Sequence, residues 1–323
     1  MMKRNLLRLL CMRGLLALFT ILVALMVSSC DSYTSDPRFE GDVYSVAALL
    51  MAGQPINQNW PVYITKSAAL EDLNLLDLFV MNADVKIIEV PGGREFPLQP
   101  VIDYDEYNVK WIDPQANIIK PMQRYRIEVR IPDKEELISA ETVVPPLARL
   151  EPDYFGHNVL GEGFGINLAD IPQMAYSTSD IRYPLALDMG ENGGVYNLIA
   201  ELYCMEEFST DLEYTTKILG MSHPTADMES AYNSSGEGLR RIRFIGRFSA
   251  EGQTETQSNY ILLRNYRQGF IFYGRYSVSM IVSDDNYYRY NYMPEGYLHG
   301  GVQNGLGYFG SASGGVMYTE VVK

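Results

Sequence analysis

The sequence predicts an all-β protein: two tandem β-sandwich-like domains, the first immunoglobulin-like, behind a lipoprotein signal peptide. Three observations carry this expectation. Arg124 to Ile131 reads Arg-Tyr-Arg-Ile-Glu-Val-Arg-Ile, with Tyr125, Ile127, Val129 and Ile131 on one side and Arg124, Arg126, Glu128 and Arg130 on the other. A strict period of two belongs to a strand with one buried and one wet face, as in an antiparallel sheet. The composition, with 24 Tyr, 27 Gly and 16 Pro, favours strands and turns, because tyrosine suits a pleated half-buried surface and glycine and proline punctuate it. Pro145-Pro146 cannot join a central strand and stiffens a linker, which places a domain boundary there.

The elements follow in chain order. Residues 1–29 read as a lipoprotein signal peptide: Lys3, Arg4, Arg8 and Arg13 precede an apolar run from Leu15 to Val27, broken only by Thr20, and Ser28-Ser29 then lead to Cys30. The run of 13 residues suits a signal-peptide core and falls short of the roughly 20 that span hydrocarbon, as an uncleaved anchor would need. Cleavage makes Cys30 the lipidated first residue, with palmitate-like chains. Each buried CH₂ contributes about 0.8 kcal/mol, so two or three chains hold durably where one does not. Residues 30–42, with Ser32, Thr34, Ser35, Pro37 and Gly41 among acids, read as a tether. Strands are predicted at 43–51, 61–65, 79–90 with a polar break at Asn82, 124–131 and 138–144, making residues 43–146 an immunoglobulin-like β-sandwich. Residues 67–78 read as a helical turn or loop, since Leu70, Leu73 and Leu78 make no full stripe. Residues 147–323 form a second β-rich domain, with strands at 183–189, 195–205, 239–248, 259–263 and 275–282. The polar stretch 209–238 reads as an excursion from the sheet, mobile or functional.

Charge narrows the partners. Four of the 26 basic residues and none of the 40 acidic ones precede Cys30, leaving 22 against 40, a net −18, in the processed chain. Such a surface repels phosphate backbones, so no nucleic-acid partner is expected. With Cys11 in the signal and Cys30 lipidated, Cys204 has no disulfide partner and reads as a small buried hydrophobe.

No reaction is spelled out. His157, His223 and His299 lie in no metal spacing, no GxSxG nucleophile elbow occurs, and 40 acids make chance carboxylate pairs expected. The expectation is no catalytic residue, no cofactor and no metal. Gly305-Leu-Gly307-Tyr-Phe-Gly310 formally matches the dinucleotide fingerprint, but the 13 residues after it hold neither the crossover helix nor the acid that the motif requires. These glycines read as positive-φ or closely packed positions in a tight loop. Two candidate surfaces remain. Arg241, Arg243 and Arg247 fall on one face of a strand, as an anion-recognising stripe or as partners of acids on a neighbouring strand. Tyr287, Tyr288, Tyr290, Tyr292 and Tyr297 follow Asp284-Asp285-Asn286. They suit sugar stacking or a protein interface, or else a flap packed over the sandwich edge.

The lipidation box Val27-Ser28-Ser29-Cys30, the Tyr125-Arg-Ile-Glu-Val129 strand running on to Ser139-Ala-Glu-Thr-Val-Val-Pro145, and the closing segment Gly301-Val-Gln-Asn-Gly-Leu-Gly-Tyr-Phe-Gly310 together resemble one family: Bacteroidetes outer-membrane lipoproteins that share a domain of unknown function. The similarity covers roughly residues 30 to 312, and its most specific piece is 304–310. The resemblance implies an outer-membrane, lipid-anchored protein, often encoded beside a TonB-dependent receptor, and transfers no catalytic residue. Only Asp31 adjoins the cysteine before Asp36 and Glu40, which leaves the periplasmic or cell-surface face undecided. The functional expectation is a non-enzymatic accessory or ligand-binding lipoprotein, held on the membrane through Cys30. It would work with a TonB-dependent receptor on a small ligand, glycan or peptide. The alternative is a structural or adhesive surface lipoprotein.

Overall fold

The computed structural model describes residues 43–68, 75–132, 134–150, 153–154, 157–158, 163–177, 184–234, 238–252, 257–293 and 299–323. The signal segment, Cys30, the tether and Tyr297 lie outside them. Segments Val43–Ser67 and Leu73–Lys323 form one compact unit.

The protein is all-β. Its strands are β1 (Tyr44–Met51), β2 (Val62–Lys66), β3 (Asp84–Val90), β4 (Glu95–Pro97), β5 (Gln99–Asp103), β6 (Asn108–Ile112), β7 (Arg124–Arg130), β8 (Ile138–Val143), β9 (Arg149–Leu150), β10 (Asp153–Tyr154), β11 (His157–Asn158), β12 (Gln173–Ala175), β13 (Leu185–Asp188), β14 (Gly194–Cys204), β15 (Arg241–Gly252), β16 (Asn259–Leu263), β17 (Gly274–Ser283) and β18 (Leu306–Val322). Among the described residues, 12 strands form a sheet in the order β5-β6-β2-β1-β18-β17-β14-β15-β16-β13-β9, with β12 beside β18. Four more form the sheet β4-β3-β7-β8, and β10 pairs with β11.

Period-two patterning is clearest in β7 and β17. In β7 the residues Tyr125, Ile127 and Val129 are fully buried while the alternating charges stay outward. In β17, Tyr276, Val278, Met280 and Val282 do the same. A first buried cluster draws on both sheets and includes Val46, Ile64, Ile87, Trp111, Tyr125 and Ile127. Trp111 keeps its polar edge satisfied by donating Nε1–H to the Val80 carbonyl at 3.1 Å, which lets so large a ring be buried without an orphan donor. A second cluster runs from Ala148 to Val321. The first spans Val46 to Val144 but also takes in Val302 and Phe309, so the last strand reaches into it.

Some local elements keep to the sequence pattern and others depart from it. The 79–90 strand is interrupted around Asn82, as its polar break suggests: Phe79 makes an isolated bridge to Thr65, and the ladder begins at Asp84. The 67–78 segment ends in a 3-10 turn at Leu75–Leu78, and 69–74 lie outside the described residues. The 209–238 excursion is anchored to the second core. Tyr214 and Tyr232 are buried, Tyr214 stacks on Phe272 at 5.0 Å, and the Tyr232 hydroxyl donates to the Glu206 carbonyl at 2.7 Å. Of the glycines expected at positive φ or in close packing within a tight loop, Gly307 has φ +96° and Gly310 is closely packed, but both lie in β18, a strand of 17 residues, and Gly305 just precedes it. It pairs in parallel with β1 over 306–312 and antiparallel with β17 over 312–321.

Cys204, at the end of β14, is fully buried, and burial raises its thiol pKa. Because the thiolate is the reactive form, Cys204 in a Cys11→Ser/Cys30→Ser protein is expected to stay silent toward an aromatic disulfide reagent until urea unfolds the chain. Stoichiometric labelling under native conditions would contradict that.

A tyrosine helix on the outer sheet face

The two candidate surfaces meet on one face of the 12-stranded sheet. Leu198, Ala200, Leu202 and Cys204 of β14 point into the second core, so Asn197, Ile199, Glu201 and Tyr203 point outward. Cross-strand register extends that outward set: Arg243 stands opposite Glu201, which stands opposite Ser279, and Ser279 opposite Val316. Four residues away, Arg247, Asn197, Ser283 and Ala312 form a parallel row. The same face of β18 carries Tyr308 and Gly310.

Across this face lies a helix, Asp285–Tyr292, where the sequence pattern predicts none. Asp284 is its N-cap, with Oδ1 accepting the Tyr287 N–H at 3.0 Å, which satisfies one of the donors that a helix start leaves open. The same Oδ1 accepts the Ser311 N–H at 3.1 Å, and Oδ2 accepts the Thr142 hydroxyl at 2.6 Å. One carboxylate thus ties the helix to β18 and to β8 of the four-stranded sheet. Asn286 repeats the tie, donating Nδ2–H to the carbonyls of Glu141 (2.7 Å) and Phe309 (2.9 Å). Burial raises the Asp284 pKa above the ordinary carboxylate value, against the opposing pull of its hydrogen bonds to Thr142 and the backbone. Beside it, Arg124, Glu141, Thr142, Asp284, Asp285 and Asn286 line an open cavity of about 400 Å³.

The helix sits close because β18 is bare beneath it. A Cβ on Gly310 would come within 2.5 Å of the Tyr287 Cβ and 2.9 Å of Asp284 Oδ1. Tyr287 meets Tyr308 edge-on at 5.4 Å and Tyr292 at 5.9 Å, Tyr290 lies 5.2 Å from Tyr308, and Tyr288 is 6.3 Å from Tyr292. All five rings are half-buried: each packs on a neighbour and keeps an accessible portion. Burial pushes the Tyr308 phenol up to about 12, with the phenols of Tyr290, Tyr292 and Tyr63 adding to it. Burial likewise raises Tyr287, and nearby Arg243 opposes the rise.

The arginines pair with acids. Arg243 Nε donates to Glu201 Oε2 at 2.8 Å, and Arg241 approaches the other oxygen at 3.4 Å while stacking over Tyr203. Arg247 reaches across to Asp285 of the helix at 3.8 Å, where Arg289 also binds at 2.7 Å and Asn197 donates at 2.9 Å. Partly exposed pairs of this kind contribute about 0–1 kcal/mol each, so they orient the guanidiniums more than they hold the fold.

Sequence reasoning set Asp284, Asn286 and Tyr308 near the tyrosines without giving them a role, and missed Glu201 and Arg289 as members of this arrangement. One signal was available for the first: an aspartate three residues ahead of Tyr287 is an N-cap pattern. Among the described residues no group of three or more His, Cys, Asp and Glu could hold a metal ion, and no helix is long and apolar enough to cross a membrane.

No family model and no curated protein matches the chain. Among solved structures it is similar to the crystal structure of a DUF4785 family protein from Legionella pneumophila, at 11% identity and a TM-score of 0.24, over 76% of this chain and 54% of that one. The chain spans about half the length of that protein.

Proposed function

We propose that the protein is a non-enzymatic cell-envelope lipoprotein, anchored to the outer membrane through lipid on Cys30, that presents the tyrosine helix and its arginine neighbours as a ligand- or partner-contact surface beside a TonB-dependent receptor in nutrient uptake. The observation that carries this reading is the convergence of Tyr287, Tyr288, Tyr290 and Tyr292 with Arg243 and Arg247 on one sheet face. These groups are far apart in sequence, yet Arg247 and Arg289 share Asp285 and Arg243 acts on Tyr287. Half-buried tyrosines give contact area at low rotamer cost, and their hydroxyls keep it polar. The lipidation box supplies the anchor.

The test is purification from the native envelope in mild detergent. The expected result is an acylated N-terminal Cys30 by mass spectrometry, a β-barrel receptor in the eluate, and release of the protein from membranes by Cys30→Ser. An unacylated terminus, or a lipidated protein that brings down no receptor and binds no glycan, peptide or chelate, overturns the reading.

A further inference from the structure

We infer that this face takes an anionic saccharide, its sugar rings against Tyr288, Tyr290 and Tyr292 and its carboxylate or sulfate groups against Arg243, Arg247 and Arg289. The inference rests on the proposed role of the face as a contact surface and specifies what it contacts.

The charge balance is the first argument. The whole chain carries 40 acidic against 26 basic residues, so an anionic ligand is repelled from most of its surface. On this face the sign reverses locally. Arg241 and Arg243 lean on Glu201, and Arg247 and Arg289 on Asp285, so four guanidiniums answer Glu201, Asp285 and the buried Asp284. Arg247 and Arg289 keep 63% and 47% of their side-chain surface exposed, which leaves them open to a ligand in solution. Guanidinium is also the group best shaped to take a carboxylate or sulfate through two parallel N–H donors.

Shape is the second. Between the arginine strand and the helix the outward positions of β17 and β18 are mixed in character: Ser279 and Ile281 on β17, Gly314 and Val316 on β18. They are flanked on one side by Arg243 and Arg247 of β15 and on the other by the helix, which carries Arg289 together with the tyrosine rings. A sugar ring presents an apolar C–H face to aromatic and aliphatic carbon and hydroxyls to phenols and serine. A few fixed cations suit one or two anionic groups per bound unit rather than the dense charge of a polyphosphate.

The experiment is calorimetric titration of the full lipoprotein in detergent with an oligogalacturonate, a sulfated oligosaccharide, a neutral malto-oligosaccharide and an acidic peptide. The expected result is binding of the uronate, the sulfated sugar or both. That binding should weaken about tenfold or more in Arg247→Gln/Arg289→Gln and in Tyr290→Ala, and several-fold on raising salt from low to about 0.5 M. Thermal melts of each variant separate lost binding from lost folding. The uronate against the sulfated sugar tells which anionic group is read. Neutral sugar bound as tightly as the acidic one, with Tyr290 needed and the arginines not, overturns the anionic assignment and leaves the contact-surface reading standing. Preference for the acidic peptide overturns the saccharide. Binding indifferent to every variant overturns the site. No binding of any of the four, with a receptor still co-purifying, overturns this inference alone.

Discussion

Gly307→Ala is expected to cost about 3–5 kcal/mol of unfolding free energy, or to prevent folding, the range reached when a backbone clash adds to strain at a position that requires glycine. Gly307 has φ +96° in a region that side chains rarely enter, and a Cβ there would sit inside the van der Waals sphere of the Val46 carbonyl oxygen and 2.7 Å from Ser45 Oγ. Val46 is its register partner in the parallel β1–β18 ladder, so relief by movement would have to pull these neighbouring central strands away from each other. Gly220 is the matched control. Its φ is +79°, and a Cβ added there would meet nothing within 4 Å, so Gly220→Ala should cost only the conformational strain of about 1 kcal/mol. Urea unfolding of both variants reads the difference directly. Equal midpoints would show that β1 and β18 do not approach this closely.

Asp284→Ala is expected to cost about 2–4 kcal/mol, from a lost N-cap together with Ser311 N–H and Thr142 hydroxyl groups left without their acceptor. Asp284→Asn should cost far less. Its Oδ1 can still accept from Tyr287 and Ser311, and its Nδ2 can donate to Thr142. Thr142 can in turn donate to Ser311 Oγ, which lies 2.7 Å away, and Ser311 Oγ to the Val143 carbonyl at 3.1 Å. The pair also differs in pH dependence. Because the folded-state pKa of Asp284 is raised by burial, the folded protein holds this proton more tightly than the unfolded chain does. Its contribution is therefore most favourable below the unfolded carboxylate pKa and declines as pH rises through the folded value. Asp284→Asn should remove that decline. Unfolding free energies measured from pH 4 to 8 check it, and an unchanged slope would show that Asp284 does not titrate as a buried acid.

The elements legible in sequence were those where one physical rule acts alone. β7 was plain because its alternation is strict, and β17 because Tyr276, Val278, Met280 and Val282 alternate with Ser277, Ser279, Ile281 and Ser283. β18 was not legible. Its middle, Gly310-Ser-Ala-Ser-Gly-Gly315, lacks the bulky and branched residues that mark strands, since close approach from both sides, by β1, by β17 and by the helix above, leaves no room for them. Tertiary crowding there overrides propensity. The tyrosine helix was hidden for a related reason. At eight residues it is too short to show a periodic stripe, and its stability comes from the Asp284 cap and the packing of Tyr287 on Gly310. The candidate residues themselves stand out in the sequence as sets, but their meeting could not be read. It depends on the β14–β15 register and on the reach of Arg247 to Asp285, both long-range facts.

One strand threading both buried clusters has a bearing on how the protein can be divided. A fragment stopped at Pro146 would lose Val302 and Phe309 from its interior and would expose the whole β1 edge to any extended chain nearby. The remainder, begun at Leu147, would carry the first part of its longest strand without the β1 ladder that pairs with Leu306 to Ala312. Both buried clusters therefore depend on β18.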